Sequence, residues 1–172
     1  MKRVALLFPI LLVACGEPEL TPEQQAAADE RAIAAVEAAQ VPPPAPVTPE
    51  PILLADIERY NLFGAGCDFL PAGVPAESPA GKGALMLGSE SGAYIKVEGD
   101  LRRLAPDAGS LELPLGMRAK YDGEEFSISL DIASAEGEPT GVETITFPAR
   151  LVLRNSRDQT VYAETGIARC GS

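Results

Sequence analysis

The sequence predicts a mainly β domain, a small antiparallel barrel or sandwich of about seven or eight strands, preceded by a marginal helix and a proline-rich tether. Three observations carry that reading. Short apolar runs bounded by Gly, Asp and Asn turn signals recur from residue 84 onwards. Helix-forming composition is confined to the first third of the chain, in an alanine-rich stretch over 26–40. Between the two lie Pro42, Pro43, Pro44, Pro46, Pro49 and Pro51, which end any helix and favour an extended spacer. No fixed-period repeat is present.

The elements follow in order. Met1-Lys2-Arg3 is a basic start, and residues 4–13 form an apolar run of ten. A bilayer span needs roughly 20 apolar residues, so this run reads as an export signal. It ends in Leu12-Val13-Ala14-Cys15, which looks like the lipobox of bacterial lipoproteins. That resemblance implies cleavage between Ala14 and Cys15, a diacylglycerol on the Cys15 sulfur, and acylation of the new amino terminus. Two or three chains anchor stably where one, at about 0.8 kcal/mol per buried CH₂, binds only marginally. Gly16 stands where an Asp would favour inner-membrane retention. The expected location is therefore the outer membrane, facing the periplasm. The expected organisation is a signal peptide over 1–14, a lipidated tether over 15–51 and a domain over 52–172.

In the tether, Thr21-Pro22-Glu23 reads as an N-cap, a first-turn proline and an acid at the positive helix end. Only Ile33 and Val36 give the helix apolar bulk, so a solvated, marginal helix is expected. The prolines add a spacer on the order of 30 Å at ~3.1 Å per residue.

In the domain, 56–62 predicts a short helix with Asp56 as its cap. Residues 71–82 are a Pro, Gly and Ala-rich loop, and 84–87 is a compact apolar run. Ala93-Tyr94-Ile95-Lys96-Val97 turns through Glu98-Gly99-Asp100 into 101–104, a hairpin. In the clearest hairpin, Asp122-Gly123 is expected to form a type I′ turn between 117–121 and 126–132, where Phe126, Ile128, Leu130 and Ile132 alternate with polar residues. A third hairpin is expected over 151–164 around Asn155-Ser156-Arg157-Asp158, with 167–170 continuing its second strand.

Charge and residue inventory narrow the chemistry. The chain holds 25 acids, 14 bases and no His. Such a balance argues against nucleic acid and anionic lipid as charge-driven partners and suits a basic one. The lack of His removes Ser-His and Cys-His nucleophile pairs and imidazole metal ligands. With Cys15 assigned to lipid, Cys67 and Cys170 remain, and an oxidising compartment favours a bridge between them. Two thiolates alone do not make a usual zinc site. Asp131, Glu136 and Glu138 match no standard calcium loop and read as a solvated tip. No cofactor and no catalytic residue is implied. The possible binding residues are a small basic patch of Lys96, Arg102 and Arg103, together with Ser91 and Tyr94. The scattered aromatics read mostly as core.

The run from Asp56 to Cys67, with Tyr121-Asp122-Gly123 and Cys170-Gly171, resembles small bacterial lipoproteins that carry no assigned activity. Ser89-Glu90-Ser91-Gly92-Ala93-Tyr94 is similar to a segment of the periplasmic inhibitors of C-type lysozyme. That resemblance implies a small disulfide-bonded β barrel whose serine, at the position of Ser91, enters the lysozyme site. The expected function is a membrane-anchored envelope lipoprotein with a non-catalytic binding or structural domain. Its partners are the membrane through lipid and a periplasmic or peptidoglycan-associated protein, with an enzyme acting on envelope polymers as the alternative.

Overall fold

A computed structural model describes residues 20–40, 42–79, 82–133 and 136–172. The expected signal peptide and Cys15 lie outside the described residues. Among those described, no helix is long and apolar enough to cross a membrane. The chain divides into two units, Met1–Pro43 and Pro44–Ser172.

In the first unit, helix α1 spans Pro22–Gln40 and buries no residue. Its start is a reciprocal capping box. The Gln24 amide donates to Thr21 Oγ1 at 3.3 Å, and the Thr21 amide donates to Gln24 Oε1 at 2.9 Å. The cap satisfies two backbone donors, and α1 has no packed apolar face to add to it.

The second unit is an antiparallel barrel of eight strands with one extra short strand. Helix α2 (Leu54–Tyr60) precedes β1 (Gly66–Pro71), β2 (Met86–Ser89), β3 (Gly92–Val97), β4 (Asp100–Pro106), β5 (Lys120–Asp122) and β6 (Phe126–Ile132). Then come the extra strand β7 (Glu138–Pro139), β8 (Ile145–Asn155) and β9 (Thr160–Gly171). Neighbours run β6-β5-β4-β3-β2-β1-β9-β8, and the β6–β8 pairing closes the ring. Strand β7 pairs with the start of β8, on the line that β6 leaves at Ile132.

Alternation decides what faces in. Phe69, Met86, Ile95, Leu104, Tyr121, Ile128, Leu130 and Leu151 are at most 2% exposed and belong to one cluster filling the barrel. Leu113 and Met117, in the connection from β4 to β5, join that cluster. They stopper one end, called here the Ser91 end after the β2–β3 turn it carries. The Cys67 amide donates to Met117 Sδ at 3.1 Å. At the opposite, Gly99 end, residues 44–52 lie across the mouth. The Val47 amide donates to the Val161 carbonyl at 3.1 Å, Glu50 to Lys96 at 2.8 Å and Ile52 to Ala84 at 2.8 Å. The second half of the proline-rich stretch is thus part of the barrel unit, and the unit begins at Pro44.

Three local expectations change. Asp56 is not the N-cap of α2. It sits in the first turn, and its Oδ2 accepts the Leu53 amide at 2.9 Å. A type I′ turn occurs at Glu98-Gly99, with φ of 52° and 81°, and not at Asp122-Gly123. Tyr121 pairs with Ile128, so the central pair of that hairpin is Glu124-Glu125. Burying Tyr121, Ile128 and Leu130 on one face fixes this register, and a slip of one residue would turn them outward. Gly123 serves close packing, because a Cβ there would press on the Phe126 carbonyl and on Leu104. Strand β8 also starts earlier than expected and runs through Pro148. The Ala133 amide donates to the Pro148 carbonyl. A strand residue's N–H and C=O point the same way, so the missing proline donor faces the Ala133 side and not β9.

The ring closes on a covalent bond. Cys67 on β1 pairs directly with Cys170 on β9, and the two form a disulfide across 103 residues. A loop of that length is worth up to ~4.7 kcal/mol in the chain-entropy model. Urea unfolding of the Cys67→Ser/Cys170→Ser protein is therefore expected to show stability lower by about 3–5 kcal/mol. A loss under about 1 kcal/mol would show that the barrel does not rely on the bridge.

Candidate functional site

The β2–β3 turn carries Ser91. Ser89 pairs with Gly92, leaving Glu90 and Ser91 exposed at the tip. Ser89 Oγ lies 3.1 Å from Ser91 Oγ and 3.2 Å from the Gly92 carbonyl it donates to. Arg103 Nη2 donates to the Ser91 carbonyl at 3.0 Å. Tyr94 is opposite Arg103 in the sheet register, on the outer face. The structure therefore brings Ser91, Tyr94 and Arg103 together.

The turn is held from inside. Tyr121 is 0% exposed, yet its phenol is fully engaged. Its O–H donates to the Ser89 carbonyl at 2.8 Å, and its oxygen accepts the Arg118 amide at 3.0 Å. Burial pushes the phenol pKa up, against the lowering from the Arg118 amide, so Tyr121 stays a neutral donor. One side chain thus ties the Ser91 turn to the β4–β5 connection.

Lys96 and Arg102 are elsewhere. Arg102 is opposite Ile95 and Arg103 opposite Tyr94, so the two neighbouring arginines face opposite sides of the sheet. Arg102 Nη2 is 3.7 Å from Asp100 Oδ2, and its Nε is 3.5 Å from Glu125 Oε2, at the Gly99 end. Lys96 Nζ donates to both Asp56 oxygens at 3.2 and 3.0 Å. It fastens α2 to the barrel wall. The single basic patch expected from the sequence is therefore divided: Arg102 and Arg103 are consecutive and cannot share a face, and Lys96, on the outer face with Arg103, is taken up by Asp56.

Two depressions meet at Phe63, the smaller of them beside the turn. One, of about 130 Å³, is lined by Asn61, Phe63, Leu87, Ser89, Ser91 and Tyr94. The other, of about 380 Å³, is lined by Ile57, Phe63, Asp68, Leu87, Thr144 and Arg169. Phe63 lines both and is 64% exposed. In the second, Arg169 Nε donates to Asp68 Oδ1 at 2.9 Å, and its Nη2 bonds Oδ2. Its Nη1 bonds the Ala76 and Ser78 carbonyls. That bidentate pair is 12–13% exposed and holds the 72–79 loop on the outer wall. Sequence reasoning missed it because the partners are 101 residues apart. It also placed Phe63 and Tyr60 among aromatics expected to be mostly core, whereas both are exposed.

Among the described residues, no three His, Cys, Asp or Glu side chains converge to hold a metal ion. Asp131 is on β6 opposite Arg150, and Glu138 is on β7 opposite Thr146. No family model, no curated protein and no solved structure matches the chain.

Two substitutions test this geometry. Tyr121→Phe leaves the Ser89 carbonyl and Arg118 amide without their buried partner, and is expected to cost about 1–2 kcal/mol in chemical unfolding. An unchanged midpoint would show the phenol is not a tie. Asp56 has its carboxyl held below the ordinary range, first by the Leu53 amide and then by Lys96. A lowered folded pKa gives stability that is present above the unfolded value of about 3.9 and lost as pH falls through the folded one. The stability gap between the native protein and Asp56→Asn, about 1 kcal/mol, is expected to be constant from about pH 5 to 8 and to close below about pH 4. A gap that widens on acidification would reverse the assignment.

Proposed function

We propose that this chain is an envelope lipoprotein, anchored through lipid on Cys15 at the outer membrane facing the periplasm, whose barrel binds a partner without catalysis. The observation that supports a surface-binding role is the filled barrel. Leu113 and Met117 stopper one end, residues 44–52 cross the other, and large apolar side chains occupy the space between. A partner meets the outer rims and walls.

The sharper form of this reading is an inhibitor of a C-type lysozyme. A specific observation favours it. Ser91 stands exposed at the tip of a two-residue turn on a closed eight-stranded barrel, with Tyr94 and Arg103 beside it. A narrow turn pinned from inside by Tyr121 loses little conformational entropy on entering a cleft. The chain's formal charge of −11 suits a basic enzyme and speeds encounter with it.

The test is lysozyme activity on cell walls titrated with the full-length protein in detergent. Inhibition is expected, and Ser91→Trp, which enlarges the tip, is expected to weaken it at least tenfold. Full lysozyme activity at a large excess of the native protein would end the inhibitor form. Mass spectrometry that finds Cys15 without lipid would end the anchor.

A further inference from the structure

The two ends of the barrel differ in chemistry. The Ser91 end collects the connections 61–65, 90–91, 107–119 and 140–144. These, with the first residue of β8, hold Phe63, Leu111, Leu115, Val142 and Ile145, each 45–103% exposed. The remaining exposed large apolar residues of this unit, Leu53, Leu54 and Tyr60, belong to α2 and its cap on the wall. Among the described residues, the connections at the Gly99 end expose no large apolar side chain. That end, strand termini included, carries Glu98, Asp100, Asp122, Glu124 and Glu125. Exposed apolar residues scattered singly need no explanation, but five gathered at one of the two rims do.

The rim residues are also neighbours through shared structure. Phe63 lines a depression with Ser91 on one side and another with Thr144 on the other. A Cβ on Gly116 would touch Glu90, so the 107–119 connection lies against the Ser91 turn. Leu115 adds a separate sign. It sits at φ 60° and ψ 29°, a left-handed conformation that Gly or Asn adopts with less strain. Its side chain is 46% exposed, so burial in the core does not account for a leucine there. Strained residues that project from a rigid scaffold collect at functional surfaces.

We infer that this apolar rim, with Phe63 and Leu115 as anchors around the Ser91 turn, is a docking face for a cationic protein; the inference rests on the lysozyme reading above. Charge selects the occupant. The same connections hold Glu90, Asp107, Glu112 and Glu143 against one cation, Arg118, which is 3.6 Å from Glu112. A surface that inserts into anionic lipid sets Lys and Arg beside its apolar groups, and carboxylates there oppose it. A basic protein with apolar ground between its charges meets both features of the rim. Phe63 and the connection that carries Leu115 both adjoin the turn, so a cleft that admits Ser91 brings its lips onto them.

The experiment is calorimetric titration of the full-length protein in detergent with a C-type lysozyme, comparing the native chain, Phe63→Ser, Leu115→Asn and Glu124→Gln. The two rim substitutions are expected to raise Kd at least tenfold with the unfolding midpoint unchanged or, for Leu115→Asn, higher. Glu124→Gln, at the other end, is expected to stay within twofold. Rim variants that bind like the native protein overturn the docking face while leaving the binding reading intact. A native protein that gives no binding overturns both. A dimer in sedimentation that is lost in the rim variants would assign the face to self-association and overturn the inference.

Discussion

The first and last strands of the barrel lie side by side, and the rest of the structure depends on that seam. Six register pairs join β1 to β9, from Gly66 with Gly171 to Pro71 with Gly166. A meander of this length without closure would leave two long edges open to pairing with other chains. Here the seam, with the β6–β8 pairing, leaves none along the ring. The Cys67–Cys170 bridge sits within it, where long-range pairing carries the largest loop-closure cost. The Asp68–Arg169 pair crosses the same seam on the outer wall. One line of contact thus holds a disulfide inside and a bidentate ion pair outside.

Closure also explains how the two mouths are treated. An eight-stranded barrel is just wide enough for side chains to fill. Its ends still expose apolar side chains unless something covers them. The β4–β5 connection returns Leu113 and Met117 into one end. The chain entering from the proline-rich stretch covers the other through Val47, Glu50 and Ile52. Prolines suit that strap, because an extended segment with few donors crosses a mouth without leaving many unpaired amides. The Gly99 amide donates to Glu50 Oε1 at 2.8 Å, so even the I′ turn takes part in holding the strap.

Much of the barrel was legible in sequence, for reasons that differ by element. The alternation through Phe126, Ile128 and Leu130 reports a half-buried strand directly, and β6 spans Phe126–Ile132 as it implies. Residues 93–97 and 101–104 were found because Glu98-Gly99 separates two such runs. The disulfide followed from counting thiols. Three features were hidden. The apolar run at 151–154 marks only the second half of β8, whose first half carries Pro148 and begins at Ile145. The separation of Arg102 from Arg103 depends on strand parity, which a one-residue uncertainty in register inverts, and the loss of Lys96 to Asp56 depends on a contact 40 residues away. The apolar rim was invisible because Phe63, Leu111 and Leu115 have the same composition as core residues. Their exposure depends on which end of the barrel their connections occupy.

The most direct measurement of the closed ring is amide hydrogen exchange by NMR on the oxidised, full-length protein. The account expects ladder amides across β1–β9 and β6–β8 to exchange as slowly as those across β3–β4, since no strand of a closed barrel is an edge. A row of rapidly exchanging amides along one side of β6 or β9 would reveal an open sheet and contradict it.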